Sequence, residues 1–531
     1  MKKLLAILLL LAMAVTLFAG CNQQESAPTP SNTGSGGNSG GGGSGGNSGG
    51  GGNSGGGEEE EEEITEIEFW GQVWVEFSPE GGAAVEAAVN EITEREIGVH
   101  INFTWIKASE FGTQLTLAIA NKEQIDLATY TYGFRLPIAY ANGITMDITQ
   151  YVNEYAQETK ELEGWLLDLC TYNGEIHGIP TYRQMNGNAY IIWRMDALEK
   201  AGVVDLARDF TTWSEFEEVL AALTEKSGTY GLGASGGVQK PWNAINLKNG
   251  DNISDTVVRE SLGDSYDVIC VDRDTNTVMS NFADSRAAEG FKMLADWYNK
   301  GYVYPDSPYS MDGDKTLMKQ YVYAGLMTGT EFGAEASYKA NVGVDCMCHQ
   351  LWKNVMNGAM ATGIGMFVPV TAIEPEAAVK FVNLLLKDPQ LSTLFAWGIE
   401  NVDYVVRDGV AYFPDGKDAG SVTYHTNDYA VGNQFLILPW DGAVGGGDFR
   451  KLAQEDMKAA PLSKYIGFSI NLGDYGDLTA ALAAIKSEYL YGLGCGLYTD
   501  QLWAEFMAKL DASGIDDYVA IYQAQLDEFL A

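Results

Sequence analysis

Cysteine and histidine are scarce in this chain. Six cysteines and four histidines occur among its 531 residues. Apart from Cys21, the cysteines are odd in number and scattered, which argues against a disulfide framework. Residues 346–349 hold two cysteines and a histidine, but a metal site there would need a further group of ligands. We therefore interpret these cysteines as buried or half-buried thiols, and we expect neither a metal nor a cofactor.

Positive charge is scarce as well. The chain has 33 lysines and arginines against 72 aspartates and glutamates, and its formal net charge is −39. A field of this sign repels nucleic acid and does not attract anionic ligands from a distance. We therefore expect no nucleic-acid partner. The net charge says little about a neutral ligand.

Long apolar runs and catalytic signatures are missing after the first 20 residues. No later run approaches the roughly 20 apolar residues that span a bilayer. The sequence contains no G-x-S-x-G, no H-E-x-x-H and no P-loop. Residues 272–276 begin like a calcium loop, but Thr277 and Ala283 stand where that loop requires Gly and Glu. We interpret this segment as a turn between strands.

The N-terminus indicates export and tethering. Two lysines precede an apolar run, and residues 1–20 are typical of a cleaved secretory signal. Cys21 follows directly and resembles the lipidated cysteine of the bacterial lipobox, although Phe18 stands where that motif usually has Leu. Residues 34–57 are only Gly, Ser and Asn, and six glutamates follow. We expect residues 21–63 to be a disordered tether with a reach of about 30–40 Å. The alternative is an ordinary secretion signal with a coincidental Cys21.

The rest of the chain has the composition of a large folded body. Hydrophobic residues make up 46% of the sequence, with 12 Trp, 28 Tyr and 20 Phe. Residues 64–531 are too many for one hydrophobic core and are enough for two lobes. Strand and helix patterns alternate along the first part, which predicts a parallel sheet. The predicted elements are a strand at 64–70, a helix at 83–97, a strand at 99–106, a helix at 111–120 and a strand at 125–130.

Three later segments predict helices that serve packing. Thr212 and Glu215 form a capping box at a helix start. Pro375 occupies a favoured first-turn position, with an apolar stripe behind it. Residues 515–530 carry a third stripe at helical spacing. We assign no chemistry to these faces.

At residues 173–182 the chain reads NGEIHGIPTY, which resembles the DGKvYGiP-y signature of family 1 bacterial extracellular solute-binding proteins. Further segments similar to that family follow in the expected order, the last two resembling its LipO-like branch: 194–202, 211–213, 291–305, 369–388, 398–404 and 467–530. The resemblance covers essentially all of residues 64–531, and its strength lies in the order of these segments.

The resemblance implies an α/β fold of the type II periplasmic-binding-protein kind, with hinge-linked lobes and a ligand cleft between them. Gly178, Ile179 and Pro180 would form the first hinge strand. Lobe 1 would comprise 64–181 and a return at 356–410. Lobe 2 would comprise 182–355 and 411–531, including the C-terminal helices.

The resemblance also implies a function and a cellular location. The protein would be a monomeric, non-enzymatic receptor that closes on a solute and delivers it to the permease of an ABC importer. Cys21 would hold it at the outer face of the cytoplasmic membrane of a Gram-positive-type bacterium.

Candidate ligand residues follow from the rule that ligands sit beyond the carboxyl ends of parallel strands. Flat aromatic rings and polar side chains in such loops suit an oligosaccharide, which offers C–H faces and hydroxyl rims. We expect the sugar to contact loops after the first strands, the hinge end and three loops further on: Trp70, Gln72, Trp74, Glu76 and Tyr132, then Tyr182 and Arg183, then Trp242, Glu331, Trp440 and Asp441. Any single aromatic residue among them could instead belong to the core.

Other functions stay open from the residues alone. Paired carboxylates are plentiful enough to serve a secreted hydrolase or lyase acting on polysaccharide. A receptor of the same fold could bind a peptide or another non-sugar solute. An adhesive surface protein fits the hinge-type motif and the two-lobe pattern less well.

Overall fold

The first described elements follow the predicted alternation of strands and helices. A computed structural model describes residues 64–233, 248–256, 258–310, 312–358, 362–473 and 475–531. Cys21 and Trp242 lie outside the described residues. Lobe 1 begins with β1 Thr65–Val73, α1 Pro79–Ile97, β2 Val99–Lys107, α2 Ala108–Ala120, β3 Leu127–Tyr130, α3 Leu136–Ala141, α4 Thr149–Tyr155, α5 Gln157–Glu163, α6 Trp165–Asp168, β4 Thr171–Tyr172, β5 Glu175–Ile176 and β6 Ile179–Pro180.

The regular elements of lobe 2 begin at β7, after the crossing that follows β6. Its elements are β7 Asn188–Arg194, α7 Met195–Ala201, α8 Val204–Asp209, α9 Trp213–Lys226, β8 Tyr230–Gly233, the 3₁₀ turn Ile253–Asp255, β9 Ile269–Asp272, β10 Thr277–Ser280, α10 Ala287–Asn299, α11 Asp314–Lys319, β11 Tyr323–Thr330, α12 Glu335–Val342 and β12 Cys346–Trp352. The predicted capping box starts α9: the Thr212 hydroxyl accepts from the Glu215 N–H at 3.2 Å, and the Glu215 carboxylate accepts from the Thr212 N–H at 3.1 Å.

The chain then returns to lobe 1 and ends in helices. These elements are β13 Gly365–Phe367, α13 Pro375–Lys387, α14 Pro389–Trp397, β14 Val405–Arg407, β15 Val410–Tyr412, the 3₁₀ turns Gln434–Leu436 and Gly446–Asp448, α15 Phe449–Lys458, α16 Gly476–Ile485, the π-helical turn Lys486–Leu490, α17 Tyr491–Leu493, α18 Asp500–Ala512 and α19 Ile515–Leu530. The predicted helices after Pro375 and over 515–530 are confirmed.

Two mixed sheets organise the lobes. In lobe 1 the strand order is β2-β1-β3-β13-β6, with β1, β2 and β3 parallel and β13 antiparallel to both its neighbours. In lobe 2 the order is β12-β7-β11-β8, with β11 parallel to β8 and antiparallel to β7. The β1–α1–β2 crossover explains why the first strands are parallel.

Separate hydrophobic cores support the two lobes. In lobe 1, Ile67 and Phe69 of β1 are fully buried against Phe381 and Leu385 of α13. In lobe 2, Trp193 of β7 packs with a face of α9. A third core joins the C-terminal helices to β9, β10 and α10. Within the described part of the chain, no helix combines the length and apolarity needed to cross a bilayer.

The chain passes between the lobes three times, after β6, after β12 and after α15. Tyr182, just after β6, pairs with Asn433, and its carbonyl accepts from the Gln434 N–H at 2.8 Å. Met356, after β12, pairs with Leu462. The expected hinge residues Ile179 and Pro180 form β6 at the edge of the lobe 1 sheet, so the crossing itself begins at residue 181.

Gly178 owes its identity to close packing. Its φ does not lie in the left-handed region, and a Cβ there would come within 2.8 Å of a Leu136 methyl carbon and 3.3 Å of the Met366 carbonyl oxygen.

The residues after 410 divide between the lobes differently from the expected boundary at 410. Tyr424, Val431 and Met457 pack in the lobe 1 core. The helices from α16 onward pack on β9, β10 and α10. Residues 411–448 contain little regular structure, so periodicity carries no information about which core they join.

Candidate functional site

A cleft of about 520 Å³ lies where the two lobes and the first crossing segment meet. Lobe 1 contributes Trp74, Tyr132 and Gly133, the crossing contributes Arg183, Gln184 and Gly187, and lobe 2 contributes Gly329, Thr330 and Glu331. Ile364 and Tyr429, from the return segment, complete the lining. The volume lies within the range of small-molecule sites.

Strand ends position most of these side chains. Trp74 is the first residue after β1, and Tyr132 follows β3 by two residues. Because β1 and β3 are parallel, their carboxyl ends lie at one edge of the sheet. Glu331 follows β11 directly in lobe 2. The strand-end rule therefore accounts for both faces of the cleft.

Aromatic faces are exposed on the lobe 1 side. Trp74 is 39% exposed and Tyr132 is 43% exposed. The Trp74 ring centroid lies 5.9 Å from that of Tyr429, with the planes tilted by 38°. Such open aromatic surface in a concave site offers stacking area to a flat apolar face of a ligand.

Arg183 is a fixed part of the cleft. It is only 4% exposed, and its Nη1 donates to the Gln184 carbonyl at 2.9 Å while Nη2 donates to the Tyr132 hydroxyl at 3.0 Å. The Gln184 N–H donates to the Gln434 side-chain oxygen at 2.8 Å. These bonds tie the crossing segment to lobe 1 and to Gln434, so contacts within the protein hold the polar side of the cleft in place.

Glu331 has an unusual charge environment. Burial raises the pKa of its carboxyl group to about 7, and the nearby Asp428 carboxylate adds to the rise, while Arg183 and Arg450 oppose it. Asp428 is itself paired with Arg450 at 2.7 Å. Burial together with Glu331 also raises the pKa of Tyr429 to about 12. Glu331 can therefore accept hydrogen bonds when ionised and donate one when protonated.

Of the predicted ligand residues, Trp74, Tyr132, Arg183 and Glu331 are brought together around the cleft. Trp70 and Gln72 lie inside β1 and are buried. Trp70 packs in a further hydrophobic cluster of lobe 1, with Phe111 and Tyr130. The Gln72 side-chain oxygen accepts from the Thr131 hydroxyl at 2.6 Å. Their side chains therefore serve the strand-to-strand packing next to the cleft.

The remaining predicted residues lie away from this lining. Tyr182 is buried at the crossing and lines a different, smaller cavity. Glu76 pairs with Lys107 at 2.5 Å on the surface. Trp440 is buried, with its ring 4.8 Å from that of Trp397, and Asp441 pairs with Lys339 at 3.2 Å.

Several lining residues were missed by sequence reasoning. Tyr429 comes from the chain after residue 410 and meets the cleft beside the first crossing, where the Thr181 hydroxyl donates to its carbonyl at 3.4 Å and Tyr182 pairs with Asn433. Gly187 and Gly329 line the cleft where a Cβ would meet nothing within 4 Å. The Gly-rich strand ends are a local signal for the two glycines, whereas Tyr429 has no such signal.

Comparison with known proteins identifies the family. The family model for bacterial extracellular solute-binding proteins matches residues 78–391. The chain belongs to this family. Residues 464–531 match a domain of unknown function, DUF3502. A search of curated proteins found no match.

Solved structures share the fold of this solute-binding protein. The N-glycan transport solute binding protein NgtS from Streptococcus pneumoniae has a TM-score of 0.73 at 18% identity, over 88% of this chain and 99% of that one. An extracellular solute-binding protein from Bifidobacterium longum subsp. infantis has a TM-score of 0.59 at 14% identity, over 87% of this chain and 98% of that one. The EF-hand mutant of the S. pneumoniae ABC-transporter substrate binding protein FusA has a TM-score of 0.57 at 16% identity, over 88% of this chain and 99% of that one. The expected two-lobed α/β fold is thus confirmed.

Proposed function

We propose that this solute-binding protein serves an ABC importer and that its ligand is an oligosaccharide. The observation that carries the proposal is the cleft between the lobes, where the exposed rings of Trp74 and Tyr132 face polar groups that include Glu331. Sugars need both kinds of group, because their C–H faces stack on aromatic rings and their hydroxyls require hydrogen-bond partners.

The ligands of similar structures support the same class. NgtS has been solved with Man1GlcNAc and with Man5GlcNAc, and FusA with kestose. A further similar structure, from B. longum infantis, is described as an HMO binding ABC-transporter associated protein.

The mechanism that we propose is capture by closure of the lobes. A ligand that touches Trp74 in lobe 1 and Glu331 in lobe 2 favours the closed form, because only that form makes both contacts. The three crossing segments supply the connection about which the lobes would move. The protein would release its ligand unchanged to a permease, and would act as a monomer without enzymatic turnover.

The proposed anchor is a lipid on Cys21. The signal-like residues 1–20 and the Gly/Ser/Asn tether support attachment at the outer face of the membrane, with enough slack for docking on the permease. Replacing Cys21 with Ser should move the protein from the membrane fraction to the medium. Incorporation of labelled palmitate into the variant would contradict lipidation at this residue.

A thermal-shift screen of oligosaccharides tests the ligand class. A ligand at 100 times its dissociation constant adds about 2.7 kcal/mol to the free energy of unfolding. We expect at least one oligosaccharide to raise Tm, and mass spectrometry to recover that sugar intact after incubation. Stabilisation by peptides alone would refute the sugar assignment, and cleavage of the sugar would refute the receptor mechanism.

Trp74→Ala tests the cleft with that sugar. Removing the ring should weaken binding about tenfold, which corresponds to about 1.4 kcal/mol of stacking and buried area. Tyr309→Ala is the matched control, because Tyr309 is 72% exposed and does not line the cleft. Equal affinities for the two variants in calorimetric titration would remove Trp74 from the proposed site.

A further inference from the structure

The residues that line the cleft carry one charge of each sign. Among its described lining residues, Arg183 and Glu331 carry the formal charges. One cation and one anion in a cleft of about 520 Å³ suggest that the ligand brings no net charge of its own. Which charged ligands the cleft rejects then depends on how accessible Arg183 and Glu331 are to a ligand.

The Arg183 guanidinium is less accessible to a ligand than the Glu331 carboxylate. Arg183 is 4% exposed and donates from Nη1 and Nη2 to the Gln184 carbonyl and the Tyr132 hydroxyl. Glu331 is half-buried and stands at the lobe 2 edge of the cleft. A carboxylate that enters the cleft therefore meets another carboxylate more directly than it meets the guanidinium.

The charged groups behind Glu331 do not reverse this balance. Arg450 donates from Nη2 to Asp428 at 2.7 Å and from Nε to the Ile437 carbonyl at 2.9 Å. Lys315 donates to the Ser337 hydroxyl at 2.9 Å. Both cations are held by protein groups. The net charge of −39 also works against anionic ligands at long range.

We propose that the cleft selects uncharged glycans over glycans that carry carboxylates, and that Glu331 is the residue that discriminates. A sugar hydroxyl can donate a hydrogen bond to the Glu331 carboxylate, whereas a sugar carboxylate has no proton to donate and is repelled. The inference rests on the proposed oligosaccharide function and narrows it to one class of sugar.

Matched pairs of sugars that differ only at C6 test the inference. The pairs are β-1,4-mannotriose with β-1,4-trimannuronate, cellotriose with its triglucuronate, and α-1,4-galactotriose with α-1,4-trigalacturonate. Each is titrated calorimetrically into the full-length protein at pH 8, above the pKa of about 7 to which burial raises Glu331. In every pair that binds, we expect the neutral member to bind at least tenfold more tightly.

A charge-removing variant tests the role of Glu331 itself. Glu331→Gln keeps the shape of the side chain, and it should reduce the preference to threefold or less while changing the affinity for the neutral sugar only a few-fold. Glu289→Gln is the control, because it removes the same charge from an exposed position on α10. The control should keep the tenfold preference.

The outcomes separate the inference from the function on which it rests. Uronate binding that equals or exceeds neutral binding in any pair overturns the inference and leaves the oligosaccharide function standing. An unchanged preference in Glu331→Gln overturns the role of that residue. If neither these pairs nor any other oligosaccharide binds, the proposed function fails and the inference fails with it.

Discussion

Glu163 gives the sharpest prediction about stability. It ends α5 and is only 2% exposed, beside a cavity of about 260 Å³ that Tyr182, Met185 and Met356 also line at the crossing between the lobes. Among the described residues, neither of its carboxyl oxygens has a hydrogen-bond partner. Burial therefore raises the pKa of Glu163 well above its usual range.

The direction of the pH effect follows from this rise. The folded protein keeps a proton on Glu163 that the unfolded chain releases above about pH 4.3. The stability that this group contributes is fully present below that pH and is lost as the pH rises toward the folded pKa. The loss has a slope of up to about 1.4 kcal/mol per pH unit over the range in which the folded protein keeps the proton and the unfolded chain does not.

Glu163→Gln should remove this dependence, because glutamine has no proton to release. Urea unfolding at pH 5, 6 and 7, followed by tryptophan fluorescence, measures the free energy of unfolding of the variant and of the unmodified protein. We expect the free energy of unfolding of the variant, relative to that of the unmodified protein, to rise with pH by up to about 1.4 kcal/mol per pH unit. Glu161→Gln, exposed on the same helix, should follow the unmodified protein. Parallel pH profiles for all three proteins would refute the buried-acid reasoning.

Two further predictions concern the fold. Asp403 is fully buried and accepts four hydrogen bonds. Asp403→Ala should therefore lower the free energy of unfolding, measured by chemical denaturation, by about 3 kcal/mol or more. The control Asp415→Ala, at an exposed position, should lower it by less than about 0.5 kcal/mol. A Cβ on Gly365 would lie 2.3 Å from the Tyr130 hydroxyl oxygen, so Gly365→Ala should cost about 1–3 kcal/mol, whereas Gly329→Ala, which meets open space, should leave Tm nearly unchanged. Equal melting temperatures for the two glycine variants would contradict the packing argument.

The strand-end rule worked at β1 only in part, and the reason is local. The sequence predicts that β1 ends at Trp70, because Gly71 and the residues after it look like a loop. The strand instead continues to Val73 and pairs with β2 throughout. Trp70 and Gln72 thus become strand residues with buried side chains, and Trp74 becomes the first residue beyond the strand. A shift of three residues decides which tryptophan reaches the cleft.

The lobe 2 side could be predicted where a strand end carried a polar residue. Glu331 directly follows β11, as the strand-end rule requires. Its ligand role stays a prediction. Its electrostatics could not be predicted, because Asp428 and Arg450 come from a segment about a hundred residues away that reaches Glu331 only in the folded chain.

What the sequence by itself determined is the succession of elements, the family and the charge of the whole molecule, because periodicity, capping and composition are local or additive properties. Tertiary structure alone decided which aromatic side chains are core and which face the cleft, and it alone brought Tyr429 beside Trp74. It also placed Glu163 without a partner in a buried position at the crossing. These features depend on contacts between segments far apart in the chain, and burial and charge environment exist only once those contacts form.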